Sequence, residues 1–364
     1  MAIIDNPTAY FNTILWTGAS DTAGRSFTGV GFQPDLVWSK IRDDTYHHNW
    51  FDSVRGAGSD KEINSDTDGA EGSGDTDGYG FISSFDTDGF TSTPGTASGG
   101  RNLEYNQNGN TFVAWNWLAS NTTASNTDGS ITSTVSANTT SGFSIVSYTG
   151  TGANATVGHG LGVAPSMILF KNYSSANNWL VYNKNLGATK FLYLNVTDAE
   201  GTDSGHFNDT EPTSTVFSVG TANGTNYSGE NLIAYCFAEK QGYSKFGSYT
   251  GNGSTDGTFV YTGFKPAFTL IKRTDSATGG SWILFDNKRG TNVINPVDVV
   301  LAASNNQTEA DWGTTFDCDY LSNGFKWRFD GTAGYNNISG GTYIYMAFAE
   351  NPFVTSTGVP ATAR

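Results

Sequence analysis

The sequence has little positive charge, no cysteine framework and no long apolar run. Lysine and arginine together number 19 against 34 aspartates and glutamates, which leaves a formal net charge of −15. This balance argues against DNA or RNA as a partner, because phosphate binding requires a basic surface. The two cysteines, Cys236 and Cys318, are too few for a disulfide framework and are predicted to be free thiols.

Signals for membrane insertion and export are also missing. No apolar stretch approaches the roughly 20 residues that cross a bilayer as a helix. The first ten residues, MAIIDNPTAY, contain neither the basic region nor the apolar core of a signal peptide. We therefore expect no membrane insertion, and either a cytoplasmic protein or one that is assembled in a host cytoplasm and released with a particle.

Catalytic signatures are absent from the sequence as well. It contains no phosphate-binding loop, dinucleotide fingerprint or nucleophile elbow. A sandwich glucanase would carry paired carboxylates close together on one strand, as an alternating acidic pattern. No strand-like segment has that pattern, so we predict a non-enzymatic protein and keep a polysaccharide hydrolase as the weakest alternative.

What the sequence does contain is one segment in three altered copies. Gly31–Ile41 reads GFQPDLVWSKI, Gly162–Asn172 reads GVAPSMILFKN, and Gly263–Arg273 reads GFKPAFTLIKR. In each copy a proline is followed by an apolar run that contains a lysine near its end. Proline suits the start of a strand and not its middle, and a run that is apolar at both alternating sets of positions is typical of a strand buried on both faces. Each copy therefore predicts the central strand of a β-domain.

Further landmarks surround each copy in one order, which makes the repeat domain-sized at on the order of a hundred residues. Each copy is followed by an aromatic strand that ends at glycine, by a phenylalanine after a turn, and by an Asn-x-x-Gly turn before a closing strand. Aromatics reach 14%, and no segment has a sustained helical period. We predict an all-β protein of three tandem β-sandwich domains, of jelly-roll or concanavalin-A-like type.

The repeat also predicts the domain boundaries. The predicted segments are 1–119 (first sandwich, with an N-terminal docking arm), 120–141 (a flexible or extended Ser/Thr/Asn linker), 142–240 (second sandwich), 241–353 (third sandwich) and 354–364 (flexible tail).

One acidic loop has the outline of a calcium site. In NSDTDGAEGSGD, Asn64, Asp66, Asp68 and Asp75 occupy the first, third, fifth and twelfth positions of a calcium loop. The usual first aspartate and twelfth glutamate are missing, and Asp-Gly pairs are also typical of hairpin turns. Calcium is thus a hypothesis that competes with a simple turn.

Surface aromatics are the remaining route to a ligand. Trp179 and Trp282 recur at one position and are predicted to be core residues. Trp50 lies out of register with them, after His47-His48-Asn49, and is predicted to be exposed. We predict Trp50 and Trp312 as ligand-binding residues that stack on sugar rings.

The quoted landmarks resemble a known family. The segments GFSIVSYTGTGANATVGHGLGVAPSMILFKN (Gly142–Asn172), NLIAYCFAE and YSKFGSYTGNGSTDGTFVYTGFKPAFTLIKR (Tyr243–Arg273) resemble uncharacterised concanavalin-A-like repeat domains. These domains occur in structural and tail-fibre proteins of tailed bacteriophages, especially marine ones. The resemblance covers copies two and three closely and copy one loosely.

The resemblance implies a bacteriophage virion structural protein: a capsid decoration, head fibre or short tail appendage. It would display sandwich domains for particle coverage or host-surface attachment. Its expected partners are other virion proteins, further copies of the chain (most simply as a trimer) and a host-surface glycan. A carbohydrate-binding adhesin or lectin module is the main alternative.

Overall fold

The computed structural model describes residues 3–73, 78–290, 295–311 and 313–361, and nearly all of its regular structure is β-strand. The helices are single turns, α1 (Leu103–Asn106), α2 (Ser204–Phe207) and α3 (Asn223–Asn226), with 3₁₀ turns at Pro7–Ala9 and Gly313–Phe316. Within these described ranges, no helix has both the length and the apolar character needed to cross a bilayer.

The described residues of copy one contain eight strands in two sheets. They are β1 (Phe11–Thr17), β2 (Arg25–Thr28), β3 (Leu36–Ile41), β4 (Asn49–Asp52), β5 (Ile63–Asn64), β6 (Phe81–Asp86), β7 (Gly89–Thr93) and β8 (Thr111–Trp117). The larger sheet has the order β1-β8-β3-β4-β5, and the smaller one has the order β2-β7-β6.

Copy two repeats this plan and extends it at both edges. Its strands, including two that precede it, are β9 (Ala124–Asn126), β10 (Ser133–Asn138), β11 (Phe143–Thr149), β12 (Ala155–Gly158), β13 (Met167–Asn172), β14 (Leu180–Asn183), β15 (Lys190–Tyr193), β16 (Gly201–Thr202), β17 (Val216–Val219) and β18 (Asn231–Phe237). The larger sheet has the order β16-β15-β14-β13-β18-β11-β10-β9, and β12 pairs with β17.

Copy three follows the same plan. Its strands are β19 (Ser244–Thr250), β20 (Phe259–Tyr261), β21 (Phe264–Arg273), β22 (Ile283–Asp286), β23 (Val299–Ala302), β24 (Ala310–Asp311), β25 (Cys318–Leu321), β26 (Gly324–Trp327) and β27 (Thr342–Pro352). The sheets have the orders β19-β27-β21-β22-β23-β24 and β20-β26-β25.

The all-β sandwich class is confirmed, and the proline-led segments are central strands as predicted. In each copy the order is first strand, closing strand, proline-led strand, aromatic strand and edge strand. The core of each sandwich lies between its two sheets. In copy one, for example, Val37 and Ala114 of the larger sheet pack with Phe27 and Phe90 of the smaller one. β3 and β13 are buried at every position, as expected for strands covered on both faces.

The prediction that proline opens the strand is wrong for copy three. Pro266 lies inside β21, and the pairing of β21 with β27 shifts register on either side of it. An irregularity of this kind lets a strand accommodate proline, which cannot donate a ladder hydrogen bond.

The asparagine of each Asn-x-x-Gly turn ties that turn to the loop after the first strand. The Oδ1 atoms of Asn106, Asn226 and Asn337 accept hydrogen bonds from the backbone N–H of Ala19, Thr151 and Asn252, at 2.9, 2.7 and 3.1 Å. Their amide nitrogens donate to backbone carbonyls. A buried amide that satisfies several backbone groups explains this turn chemistry in every copy.

The segment 120–141 is not a free connector. β9 and β10 join the edge of copy two's larger sheet, and Val135 and Ile131 are buried in its core. The Ser/Thr/Asn composition concealed these two apolar side chains, which are enough to anchor the segment to the sheet.

The arm and the tail meet in the described residues. Ile4 donates its backbone N–H to Gln241 O at 3.1 Å, and Asp5 accepts from the Ser356 backbone N–H at 2.7 Å. The described part of the predicted tail contains a turn, in which the Thr355 N–H donates to Val359 O at 2.8 Å.

The described residues divide into two compact units, so the count of three domains is not confirmed. Unit one comprises Ala9–Asn195 and Thr202–Ala238, and it carries copies one and two. Unit two comprises the described residues of Met1–Thr8, Val196–Gly201 and Glu239–Arg364, and it carries copy three.

The lysine of each central strand is buried and bonded to backbone carbonyls. Lys171 Nζ donates to Asp68 O of copy one at 2.8 Å and to Asn177 O at 2.6 Å, within unit one. Lys272 Nζ makes the equivalent bond to Thr197 O at 2.9 Å, within unit two. A backbone bond lies beside the first of these lysines, where the Glu71 N–H donates to Tyr173 O. The buried lysines therefore join each later copy to the loop before it.

Burial of Lys171 predicts a specific dependence of stability on pH. Burial lowers the pKa of Lys171 to about 7 from its ordinary 10.5, so between these values the unfolded chain holds a proton that the folded chain has released. Stability should therefore rise with pH across this window, by up to about 1.4 kcal/mol per pH unit for one lysine. Lys171→Met should make this rise shallower.

Urea unfolding between about pH 7 and 9.5 would measure the slope. Lys184→Met, at an exposed position of the same copy, is the matched control and should leave the slope unchanged. An unaltered slope in Lys171→Met would contradict the assignment.

Candidate functional site

A polar cleft of about 390 Å³ opens in copy one, within unit one. Its walls come from the β3–β4 loop, the start of β5 and the loop after it, the turn before β6, and α1. The side chains that define it are Tyr46, His47, Glu62, Asn64, Tyr79 and Glu104.

Two buried carboxyl groups lie on the inner wall of the cleft. Glu62 is 2% exposed and Glu104 is 4% exposed. Asn64 Nδ2 donates to Glu62 Oε1 at 3.0 Å, and Tyr105 OH donates to Glu62 Oε2 at 3.1 Å. Asn49 Nδ2 donates to Glu104 Oε2 at 3.1 Å, and Asn64 Nδ2 also contacts Asn49 Oδ1 at 3.1 Å. The glutamates thus belong to one network, which we call the glutamate network.

The glutamate network favours protonated carboxyls. Burial raises the pKa of Glu62 to about 8, against the hydrogen bonds from Asn64 and Tyr105. Burial, and then the charge of Glu62, raises the pKa of Glu104 well above its ordinary 4.5. Because the two groups interact, they titrate as a pair and not as independent acids.

The rim of the cleft is aromatic and partly exposed. The rings of Tyr46 and Tyr79 meet edge to face, with centroids 5.5 Å apart. Beside them His47 Nδ1 contacts Asp66 Oδ2 at 2.7 Å, a contact that raises the pKa of His47. The cleft therefore combines ring surfaces at its mouth with hydrogen-bonding groups inside.

The other two copies have no such network at the equivalent positions. In copy one, β4 pairs with β5 so that Asn49 lies opposite Asn64 and Trp50 lies opposite Ile63. The pairing of β14 with β15 and of β22 with β23 gives the equivalent positions in copies two and three. The copy-one polar residues Asn49, Glu62, Asn64 and Glu104 correspond to Leu180, Phe191, Tyr193 and Gly224 in copy two, and to Ile283, Val300, Ala302 and Tyr335 in copy three.

Copy two shows why the polar set is particular to copy one. Leu180 belongs to the hydrophobic core there, and a Cβ atom on Gly224 would lie 2.4 Å from Leu180 Cδ2. An apolar side chain thus occupies the place where Asn49 and Glu104 meet in copy one. Alignment of the three copies is the sequence signal that would have found these glutamates.

The predicted calcium ligands do not share a site in the described residues. Asn64 belongs to the glutamate network, Asp66 accepts from His47, and Asp68 bonds Lys171 through its backbone oxygen. Asp75 lies outside the described residues. Among the residues described, no group of three histidine, cysteine, aspartate or glutamate side chains is arranged to hold a metal ion. The calcium loop stays a prediction.

The prediction that Trp50 is exposed is wrong, and Trp312 lies outside the described residues. Trp50 is 1% exposed, and its ring lies 5.2 Å from the ring of Trp179 and 5.1 Å from that of Tyr235. Its displacement in sequence brings it into the contact between copies one and two. Trp179 and Trp282 are buried, as predicted.

That contact also has polar anchors. Tyr235 OH donates to Asp52 Oδ2 at 2.7 Å, and Trp179 Nε1 donates to Asn64 O at 2.8 Å. Asp52 in turn pairs with Arg55 at 2.6 Å. The Asn64 backbone thus links the cleft wall to copy two, while its side chain serves the glutamate network.

Large exposed aromatics do occur, but at other positions. Phe259 and Tyr261 on β20 are 44% and 58% exposed, and Tyr227 is 39% exposed. Cys236 and Cys318 are buried free thiols, as predicted.

Comparison with known proteins identifies a family and no function. The family model described as "Domain of unknown function (DUF7483)" matches residues 6–352. No curated protein and no solved structure matches the chain.

Trp50 should be a stability residue and not a sugar-binding one. Trp50→Ala removes a fully buried ring from the contact between copies one and two and should cost about 3–5 kcal/mol of unfolding free energy. Tyr261→Ala, at an exposed aromatic, should change it by less than about 0.5 kcal/mol. Urea unfolding measures both; a Trp50→Ala variant of unchanged stability would contradict the assignment.

The glutamate pair should lower stability as pH rises. Its raised pKa means that the folded chain holds a proton that the unfolded chain releases between the ordinary 4.5 and about 8. Stability should therefore fall across this window, and Glu104→Gln should make the fall shallower. Glu211→Gln, which removes a carboxylate hydrogen-bonded to Tyr182 in copy two, should leave the slope in place. Thermal unfolding at several pH values would test this, and an equal effect of both variants would contradict it.

Proposed function

The chain belongs to the DUF7483 family, a domain of unknown function, and we propose that it is a non-enzymatic attachment protein of a bacteriophage particle that binds host-surface glycan through the copy-one cleft. The β-sandwich copies form the framework that displays this site.

The observation that carries the proposal is the polar replacement in copy one. At positions that copies two and three fill largely with apolar side chains, copy one buries two glutamates and two asparagines beside an open cleft. Burial of such groups costs stability unless they are hydrogen-bonded. A local departure from the packing rule that the sibling copies follow is expected at a functional site.

The chemistry of the cleft suits a saccharide. Sugar hydroxyls both donate and accept hydrogen bonds, and the wall offers the Asn64 amide, the two carboxyls and the His47 ring. The apolar faces of sugar rings pack on aromatic rings, which Tyr46 and Tyr79 supply at the rim. A concave site with aromatic surface and a few convergent polar groups is the usual form of a small-ligand site.

The role on a particle rests on the resemblance to phage structural and tail-fibre repeat domains. A net charge of −15 favours a soluble exterior. The chain would sit in the virion as a capsid decoration, head fibre or short tail appendage, bound to other virion proteins. A homotrimer is the simplest assembly for a position with rotational symmetry.

A polysaccharide hydrolase is the second candidate, favoured by the two carboxyls with raised pKa in one cleft. Glycosidases use one such carboxyl as an acid and a second as a base or nucleophile. Binding is preferred because burial raises the pKa of both carboxyls, whereas a glycosidase needs one of the two ionised as nucleophile or base.

We expect the full chain to bind surface polysaccharide of the host on a glycan array. Tyr79→Ala and Glu104→Gln should each weaken this binding by about tenfold or more, the effect of losing a ring contact or a hydrogen bond to the carboxyl group. Tyr261→Ala, an exposed aromatic of copy three, is the control and should bind as the parent does.

Three outcomes would contradict parts of the proposal. Equal binding by all the variants would place recognition outside the cleft. Release of reducing ends, lost in Glu104→Gln, would favour the hydrolase. Purified virions that lack the chain by mass spectrometry would remove the particle role.

A further inference from the structure

Two other deeply buried carboxylates of the chain are neutralised by arginine. Asp52 pairs with Arg55 at 2.6 Å, and Asp286 pairs with Arg289 at 2.5 Å, with all four side chains at most 1% exposed. Such charged hydrogen bonds offset the cost of burying a carboxylate. A third buried acid, Asp35, has no arginine and instead accepts four hydrogen bonds from backbone N–H groups and serine hydroxyls. These three carboxylates give a standard for a buried acid, which is an arginine or a full set of neutral donors.

The two glutamates of the cleft depart from that standard. Within the described residues their hydrogen-bond donors are neutral, namely the amides of Asn49 and Asn64 and the phenol of Tyr105. No arginine or lysine bonds to either carboxyl in this part of the structure. The cleft thus contains two buried acids that have neither the arginine of Asp52 and Asp286 nor the four donors of Asp35.

The cations near the cleft are committed to other groups. Lys40 Nζ donates to Ile41 O at 2.7 Å and to Asp44 O at 2.8 Å, and His47 contacts Asp66. The charges of Lys40, His47 and Asp66 act on the glutamates, and the charge of Glu62 acts on Glu104. The ammonium of Lys40 therefore acts on Glu104 without bonding to it, while Asp66 opposes His47 at Glu62.

One oxygen of Glu104 remains for a ligand. Asn49 bonds to Oε2, whereas Oε1 accepts no hydrogen bond from the residues described. Glu104 is 4% exposed and lines the cleft. A ligand donor that reaches Oε1 from the cleft would therefore gain a hydrogen bond.

We propose that the cleft selects an amino sugar, whose ammonium group donates to Glu104 Oε1 and lies in the field of Glu62. The sugar ring would pack at the rim formed by Tyr46 and Tyr79. This inference rests on the proposed glycan-binding function and names its ligand class. The ammonium supplies the cation that arginine supplies to Asp52 and Asp286.

Binding of a cation has a consequence that binding of a neutral sugar lacks. An ammonium beside the carboxyls favours their ionised form and lowers their pKa, so the pair releases protons as the ligand binds. The protons released are those that the folded chain holds on these carboxyls at pH values between the ordinary glutamate pKa of 4.5 and about 8. Proton release is therefore a signature of the proposed contact.

Isothermal titration calorimetry of the full chain would test this with two probes of equal length. The glucosamine trimer carries ammonium groups, and its N-acetylated counterpart carries neutral amides. At about pH 6.5 the amine probe should bind about tenfold tighter or more. Titrations in two buffers of different ionisation enthalpy should show release of up to about one proton per chain for the amine probe alone.

Variants separate this inference from the function on which it rests. Glu104→Gln should remove the preference for the amine probe and the proton release, while Glu211→Gln should retain both. Equal binding of the two probes without proton release would overturn the amino-sugar inference and leave glycan binding standing. Failure of both probes, together with a blank glycan array, would overturn the inference and the proposed function together.

Discussion

A buried position in these sandwiches must be either apolar or hydrogen-bonded, and this constraint organises the molecule. Copies two and three meet it between their sheets with aliphatic and aromatic side chains. The central-strand lysines meet it with backbone carbonyls, Lys171 with Asp68 O and Lys272 with Thr197 O. Copy one meets it at one corner with amides, a phenol and two carboxyls. The polar side chains at this corner satisfy one another by hydrogen bonds and do not fill the space with apolar packing, and a cleft remains beside them.

The strand plan could be read from the sequence because its signals are local and occur three times. Proline, a doubly apolar run and a buried lysine mark the central strand, and the Asn-x-x-Gly turn marks the entry to the closing strand. Where a local signal misled, a tertiary effect overrode it. Two apolar side chains, Ile131 and Val135, draw a polar segment into the sheet. A register shift in β21 lets Pro266 sit within a strand.

The candidate site was harder to predict, since its members are distant in sequence and belong to no motif. Glu62 precedes an edge strand and Glu104 lies in a single helical turn, so neither forms the alternating acidic pattern of a sandwich glucanase. The calcium outline came from spacing along one loop, whereas Asn64 and Asp66 turn to different partners in the fold. The displacement of Trp50 suggested exposure, but a ring on the outer face of a sheet is buried when another copy packs there. Comparison of equivalent positions across the copies, and not of neighbours along the chain, carries the signal for Glu62 and Glu104.

The contact of Trp50 with Trp179 and Tyr235 has a consequence for how the gene can be divided. A cut after residue 119 would follow the sequence repeat yet strip this aromatic contact from both halves and expose large rings to water. A cut near Ala238 would keep it whole. Recombination among related genes would thus be expected to transfer the first two repeats as a pair, so that the heritable module is larger than the repeat that built it.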